Sequence, residues 1–356
     1  MMKKLVILLS VFMLSISGMA QQPAGPKPSG QPAGGFGMGK RTPVLITNDL
    51  SGDVDGIFAL VHQLLCQSSD IKGIVGTHLG SQRAWTDNGK GGSVTDQAVA
   101  RAKEVMDLLE IEQTFPIVKG ADKGLESTIQ PIESEGARLI VEEAKKHSPE
   151  KPLYVTVGAS LTDVASAWLM DPSISKNIIV VWIGGQEYPF GHPFPPQYNK
   201  GNNLVEYNAR LDIKSVQVVF NQSDLTLWQI PRDVYRQALY GMDEITDKIA
   251  PCGEIGKYLE EKLHRFGSDT YVLGDSPMVL ISTLTTTFEP GAASSFYEVV
   301  KAPTIRDDGH YDFSAPGRDI IVYKNIDTRL LFGDMESKIR KAAKAIEAKK
   351  VKGKKK

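Results

Sequence analysis

The stretch TNDLSGDVDGIFAL, Thr47 to Leu60, sets Asp49, Asp53 and Asp55 within seven residues. Before it runs TPVLITN, short, apolar and β-branched. After it runs DGIFALVHQLLCQ, whose apolar positions recur at helical spacing. The local reading is a strand, an acidic turn and a helix. Carboxylates held that close raise one another's pKa. A hard divalent cation removes the repulsion and accepts several carboxylate oxygens. One Asp at a helix start is explained by capping, but three exceed what a cap needs. The loop holds no Cys or His, which favours Ca2+ or Mg2+ over Zn2+.

Outward from this stretch the alternation continues. IKGIVGT, FPIVKG, PLYVTVG and KNIIVVWIGG read as strands. SVTDQAVARAKEVMDLLEI (with Ser93 as its cap), ESEGARLIVEEAKKH and SLTDVASAWLM read as helices. Near-continuous β-branched strands alternating with amphipathic helices predict an α/β, Rossmann-like fold, a mostly parallel central sheet flanked by helices. After Gly185 comes a long aromatic, Pro- and Gly-containing loop, QEYPFGHPFPPQYNKGNN, and then the strand DLTLWQI. Helices are expected near 243–266 and 275–287. SSFYEVV, RDIIVYKNI and a last helix from near Asp327 form a small C-terminal strand/helix extension. We read residues 41–348 as one domain.

The ends carry other signals. Lys3 and Lys4, the apolar run LVILLSVFMLSISG and the small residues SGMA before Gln21 predict a signal peptide over 1–20. Its apolar core is short for a bilayer span. Residues 21–40, rich in Pro, Gly and Gln, read as a disordered linker, and 349–356 as a basic, solvated tail. The expectation is an exported protein, periplasmic or secreted, with no membrane association after cleavage. Hydrophobic residues make up 41% and charged residues 23%, as in an ordinary globular protein. A formal net charge of -1 gives no field for nucleic acid. The two cysteines, Cys66 and Cys252, make no disulfide framework, and Cys66 reads as a buried thiol on an apolar helix face. A homo-oligomer is left open.

In doubly wound sheets, ligands bind beyond the carboxyl ends of the strands. The loops to inspect are therefore Asn48 to Asp55, Thr77 and His78, Val157 to Thr162, Gly184 to Asn208, and Gly274 to Ser276. Within GNNLVEYNARLD, Asn202, Asn203, Glu206 and Asn208 are side chains suited to sugar hydroxyls. Trp85 lies in an irregular loop and could cover a ligand. Trp168, Trp182 and Trp228 read as core, and His62, His147 and His264 as structural.

Taken in order, these segments resemble the inosine/uridine-preferring nucleoside hydrolase family. VLITNDLSGDVDGIFAL resembles its opening strand and Asp-rich loop, and FPIVKGADKGL its third strand. LYVTVGASLTDVASAWLMDPSI resembles its GPLTN segment, and IIVVWIGG its next strand. NLVEYNARLDIKSVQVVF resembles its AEFN block, LTLWQIPRDVYRQ the segment beyond, and GDSPMVL its late motif. The resemblance runs from about Thr42 to Leu284. It implies an enzyme that cleaves the N-glycosidic bond of purine or pyrimidine ribosides with a bound calcium ion. It makes Asp49 a metal ligand and the general base, and Asp55 and Asp275 metal ligands, with the main-chain carbonyl of Val157. The family's third loop Asp corresponds to Gly56. Either Asp53 supplies that carboxylate from an insertion, or the metal is held more weakly. Asn202 (with Asn203 as its rival), Glu206, Asn208 and His78 would bind the ribose. The family often has a His where this chain has Gly274, so an acid for the leaving base is absent there. His192 and Tyr188 are the candidates in the long loop.

Two alternatives keep the fold: a non-catalytic nucleoside or sugar binder, favoured by Gly56 and Gly274, and a hydrolase of another glycoside, favoured by the aromatic loop.

Overall fold

The computed structural model describes residues 41–80, 92–188, 204–264, 267–284 and 293–353. In chain order it begins with β1 (Thr42–Asn48), α1 (Asp55–Leu65), β2 (Ser69–Gly76), α2 (Val94–Leu108), β3 (Ile117–Lys119) and α3 (Glu135–Ala144). Next come β4 (Leu153–Gly158), α4 (Thr162–Met170), β5 (Ile178–Ile183), α5 (Tyr207–Leu211), α6 (Ile213–Gln217), β6 (Thr226–Ile230) and α7 (Arg232–Tyr235). Then follow β7 (Leu239–Gly241), α8 (Met242–Glu244), α9 (Gly253–His264), β8 (Thr270–Val272) and α10 (Pro277–Ser282). The chain finishes with β9 (Phe296–Lys301), β10 (Thr304–Ile305), β11 (Tyr311–Asp312), β12 (Asp319–Asn325) and α11 (Thr328–Gly353).

Eight strands form the central sheet in the order β3-β2-β1-β4-β5-β6-β12-β9. Every neighbouring pair is parallel except β12 and β9. This is the α/β, Rossmann-like sheet the alternation predicts. The strand order reverses at β1, with β2 on one side and β4 on the other. A crevice therefore opens at the carboxyl ends of β1 and β4.

Successive side chains on a strand face opposite sides. Val44 and Ile46 of β1 join a core with Phe58 of α1, Val105 of α2, Leu259 of α9 and Ile339 of α11. Leu45 joins the opposite core with Ile140 of α3, Val164 of α4 and Trp182 of β5. Both faces are covered, which is why the strands read as continuous apolar runs. Full burial of each large apolar side chain stabilises by about 1.5–3 kcal/mol. Ser93 caps α2 through a reciprocal pair with Asp96, each side chain accepting from the other's backbone N–H.

The late strands extend the central sheet: β12 pairs parallel with β6 and carries β9, antiparallel, at the sheet's far edge. Two expectations change. The helix expected over 243–266 is broken. Ile245–Ile249 forms a wide π-turn, and the chain restarts as α9 at Gly253, whose φ of +67° favours glycine. The basic tail is helical to Gly353, with Lys349 3.6 Å and Lys350 3.8 Å from the Glu110 carboxylate. Cys66 and Cys252 are free, buried thiols. The expected signal peptide and linker lie outside the described residues. Among those described, no helix is long and apolar enough to cross a membrane.

Candidate active site

At the crevice lies a cavity of about 120 Å³. The loop after β1 contributes Asp49, Asp53 and Asp55, and the ends of β4 and β5 contribute Gly158 and Ile183. Across from them stand Glu206, Tyr207 and Asn208 at the start of α5, with Tyr235 of α7 and Gly274 and Asp275 before α10.

Hydrogen bonds lace these segments together. Asp55 Oδ1 accepts from the Gly56 N–H at 2.8 Å, and its Oδ2 from the Asp275 N–H at 3.1 Å. Asn48, the last residue of β1, donates from Nδ2 to Asp275 Oδ2 at 2.8 Å. Asp53 Oδ1 accepts from the Val54 N–H at 2.6 Å and from the Tyr271 hydroxyl on β8.

Asp49 and Asp275 are buried, and Asp55 is half-buried. Burial pushes all three carboxyl groups well above the ordinary carboxylate range. Their negative neighbours push the same way: Asp55 and Asp53 on Asp49, Asp275 and Asp53 on Asp55, and Asp49, Asp53 and Glu206 on Asp275. Ionised together without a counter-charge, such groups are costly.

Four carboxylates, with no thiol or imidazole among the described residues of the cavity wall, are hard donors of the kind Ca2+ takes. Next to Asp49 in the chain, Asn48 Oδ1 is buried without a hydrogen-bond partner, as buried acceptors seldom are. Position 56 also finds its reason here. A Cβ at Gly56 would stand 2.5 Å from Asn48 Oδ1. The Asn48 amide oxygen therefore fills the space a longer side chain at 56 would need.

On the sugar-facing side, Glu206 caps α5 and is held from three directions. Its Oε2 accepts from the N–H groups of Gly185 at 2.9 Å and Ala209 at 3.1 Å, and its Oε1 from the Tyr235 hydroxyl at 3.0 Å. Burial raises its pKa. Asn208 donates from Nδ2 to the Ile183 carbonyl at 2.9 Å.

The structure thus gathers Asp49, Asp53, Asp55, Asp275, Glu206 and Asn208. Val157 is buried in β4, and its carbonyl belongs to the peptide leading into Gly158. His78 is not brought to the cavity. It is buried, its Nδ1 accepts from the Gly80 N–H at 2.9 Å, and its Nε2 meets the Thr162 hydroxyl at 2.8 Å and the Ser160 hydroxyl at 3.1 Å. With Nδ1 accepting, the proton sits on Nε2, directed at those hydroxyls. Thr162 in turn donates to Asp212, which caps α6. His78 therefore helps fix the elements behind the site. Tyr188 is also buried behind it, donating to Gln229 Oε1 at 2.6 Å. His192, Asn202, Asn203 and Trp85 lie outside the described residues.

Sequence reasoning missed Asn48, Tyr207 and Tyr235. Asn48 carried a signal, a polar residue at the carboxyl end of the first strand. The tyrosines carried none, since their elements are too short to show a pattern. At Gly274, a Cβ would come within 3.1 Å of the Tyr235 ring and 3.2 Å of Asp55 Oδ2. Any side chain there would have to push these groups apart.

The profile of the inosine-uridine preferring nucleoside hydrolases matches residues 44–294. The chain belongs to this family. It is a hydrolase acting on N-glycosyl compounds, and the nucleoside hydrolase fold carries the site just described. Among solved structures it is similar to a plant nucleoside hydrolase, at 14% identity and a TM-score of 0.63, over 84% of this chain and 99% of that one. The inosine-uridine preferring nucleoside hydrolase from Bacillus anthracis aligns over 84% of this chain and 99% of its own, at 14% identity and TM-score 0.62. A purine-preferring ribonucleoside hydrolase from Gardnerella vaginalis aligns over 85% and 99%, at 18% identity and TM-score 0.63. At such identities the likeness establishes the fold. No curated protein matches the chain.

Proposed function

We propose that the protein is an exported, calcium-dependent nucleoside hydrolase that cleaves ribonucleosides to ribose and free base. The observation that carries this reading is the cavity itself. Asp49, Asp53, Asp55 and Asp275 face Glu206 and Asn208 across one small space. At about 120 Å³ it encloses a sugar rather than a whole nucleoside, well below the roughly 300–1,000 Å³ of pockets that surround larger ligands.

A calcium ion held by the carboxylates would anchor the vicinal ribose hydroxyls and acidify a water. Asp49 takes the proton of the attacking water. Glu206, fixed by two backbone donors and Tyr235, accepts a sugar hydroxyl and sets negative charge beside the ring as the C–N bond breaks. Asn208, held by the Ile183 carbonyl, positions a second hydroxyl. His192, Asn202 and Asn203 are proposed to complete the sugar and base contacts. Residues 1–20 are proposed as the signal peptide, which intact-mass measurement of the exported protein tests by a mature N-terminus at Gln21.

The experiment is a nucleoside and aryl-glycoside screen read by reducing sugar, with calcium and with chelator. The expected result is ribose from inosine or uridine, lost with chelator and in Asp49→Ala. The second reading, a nucleoside binder, is favoured by Gly274, which offers no side chain to protonate a leaving base. It would show calcium-dependent nucleoside binding with no ribose released.

A further inference from the structure

Away from the cavity, α1 and α11 pack with three metal-ligating side chains between them. His62 lies in the last turn of α1, and Cys66 is the residue that ends the helix, four positions on. Asp334 of α11 meets them. One ligand atom from each lies within 4.8 Å of the others. His62 Nε2 is 2.7 Å from Asp334 Oδ2. His62 is fully buried and Cys66 is 3% exposed, while the Asp334 side chain is 24% exposed and gives the cluster a path to solvent. His62 Nδ1 is buried with no hydrogen-bond partner. None of these residues touches the nucleoside hydrolase cavity.

We infer that His62, Cys66 and Asp334 form a second metal site, for a borderline divalent ion such as Zn2+. One nitrogen, one sulfur and one oxygen make a donor set of the kind Zn2+ accepts and Ca2+ does not. Three protein ligands leave a fourth position to water at the Asp334 side. The surroundings are apolar, with Ala59 and Val279 packed against Cys66. The present counter-charge of Asp334 is the Lys338 ammonium, one turn along α11. The incoming ion replaces that ammonium. The Cys66 S–H bond breaks, its electron pair passes to the metal and its proton to solvent, with no change of oxidation state. The occupied site would pin α1, whose first turn carries Asp55, to the C-terminal helix.

The test uses the chelator-stripped full chain, refilled with excess Ca2+ and titrated with Co2+, whose thiolate complexes absorb in the near ultraviolet. The expected result is a thiolate-to-cobalt band saturating at one equivalent and bleached by Zn2+. Cys252→Ser, which leaves Cys66 as the sole thiol, retains the band, and Cys66→Ser loses it. Asp334→Asn weakens binding by roughly tenfold or more, and Lys338→Met tightens it. A folded wild type without the band overturns the inference, as does a band lost in a folded Cys252→Ser variant. Cys252→Ser and Lys338→Met decide the matter even if Cys66→Ser does not fold.

Discussion

The Asn48 amide has two different surroundings: Nδ2 donates to the Asp275 carboxylate, while Oδ1 lies against Gly56 without a hydrogen-bond partner. Asn48→Leu keeps the volume and removes both functions. A buried hydrogen bond to a charged group contributes about 1.5–3 kcal/mol. Calcium affinity by titration calorimetry should therefore fall about tenfold to a hundredfold; an unchanged affinity would remove Asn48 from the site. Asp163 makes a separate, pH-dependent contribution. It is buried at the start of α4, where Oδ1 accepts from the Ala121 N–H and the Ser134 hydroxyl and Oδ2 has no partner. Burial raises its pKa from 3.8 to about 6. A raised carboxyl pKa favours the folded state below about pH 4, and this contribution is lost as pH rises through about 6, a change of about 3 kcal/mol. Asp163→Asn, which mimics the protonated acid, should be more stable than wild type at pH 7.5 and not at pH 4.5. Urea unfolding in calcium at both values checks this, and equal stability differences at both would rule it out.

The elements legible in the sequence were those whose own side chains decide them. β1 through β5 and α1 through α4 follow from period and caps, because both faces of the sheet are covered and Ser93 and Ser134 start their helices in the usual way. Ser93→Ala should cost about 1 kcal/mol in chemical denaturation; no loss would show that packing alone holds α2. What stayed hidden depends on distant contacts. The pairing of β12 with β6 is set by tertiary packing, and the restart of the chain as α9 uses a positive φ at Gly253 that composition does not reveal. The Asp-rich loop was legible because three clustered carboxylates defy an ordinary explanation. His78 misled because its place after β2 suits a ligand, while its burial against Thr162 and Ser160 arises from two other elements.

Across the whole molecule, the carboxylate cluster would couple stability to the proposed cation. Ligand that binds only the folded state stabilises it by about 2.7 kcal/mol at a hundredfold excess over Kd. The melting temperature should rise with calcium and rise less with magnesium. In chelator, the raised pKa values of Asp49, Asp55 and Asp275 make the folded state more stable as pH falls, and calcium should flatten or reverse that slope. Scanning calorimetry across pH with and without calcium measures both; identical curves would sink the calcium assignment.

The bond between Asp275 and Asp55 spans 220 residues, and that between Asn48 and Asp275 spans 227. During synthesis the Asp-rich loop leaves the ribosome long before its last carboxylate exists. A nascent chain stopped ahead of β8 holds three of the four acids and lacks the strand that fixes Asp53. Contacts so far apart in sequence form late. The full set of four carboxylates is thus assembled only once the chain beyond β8 has joined the loop after β1.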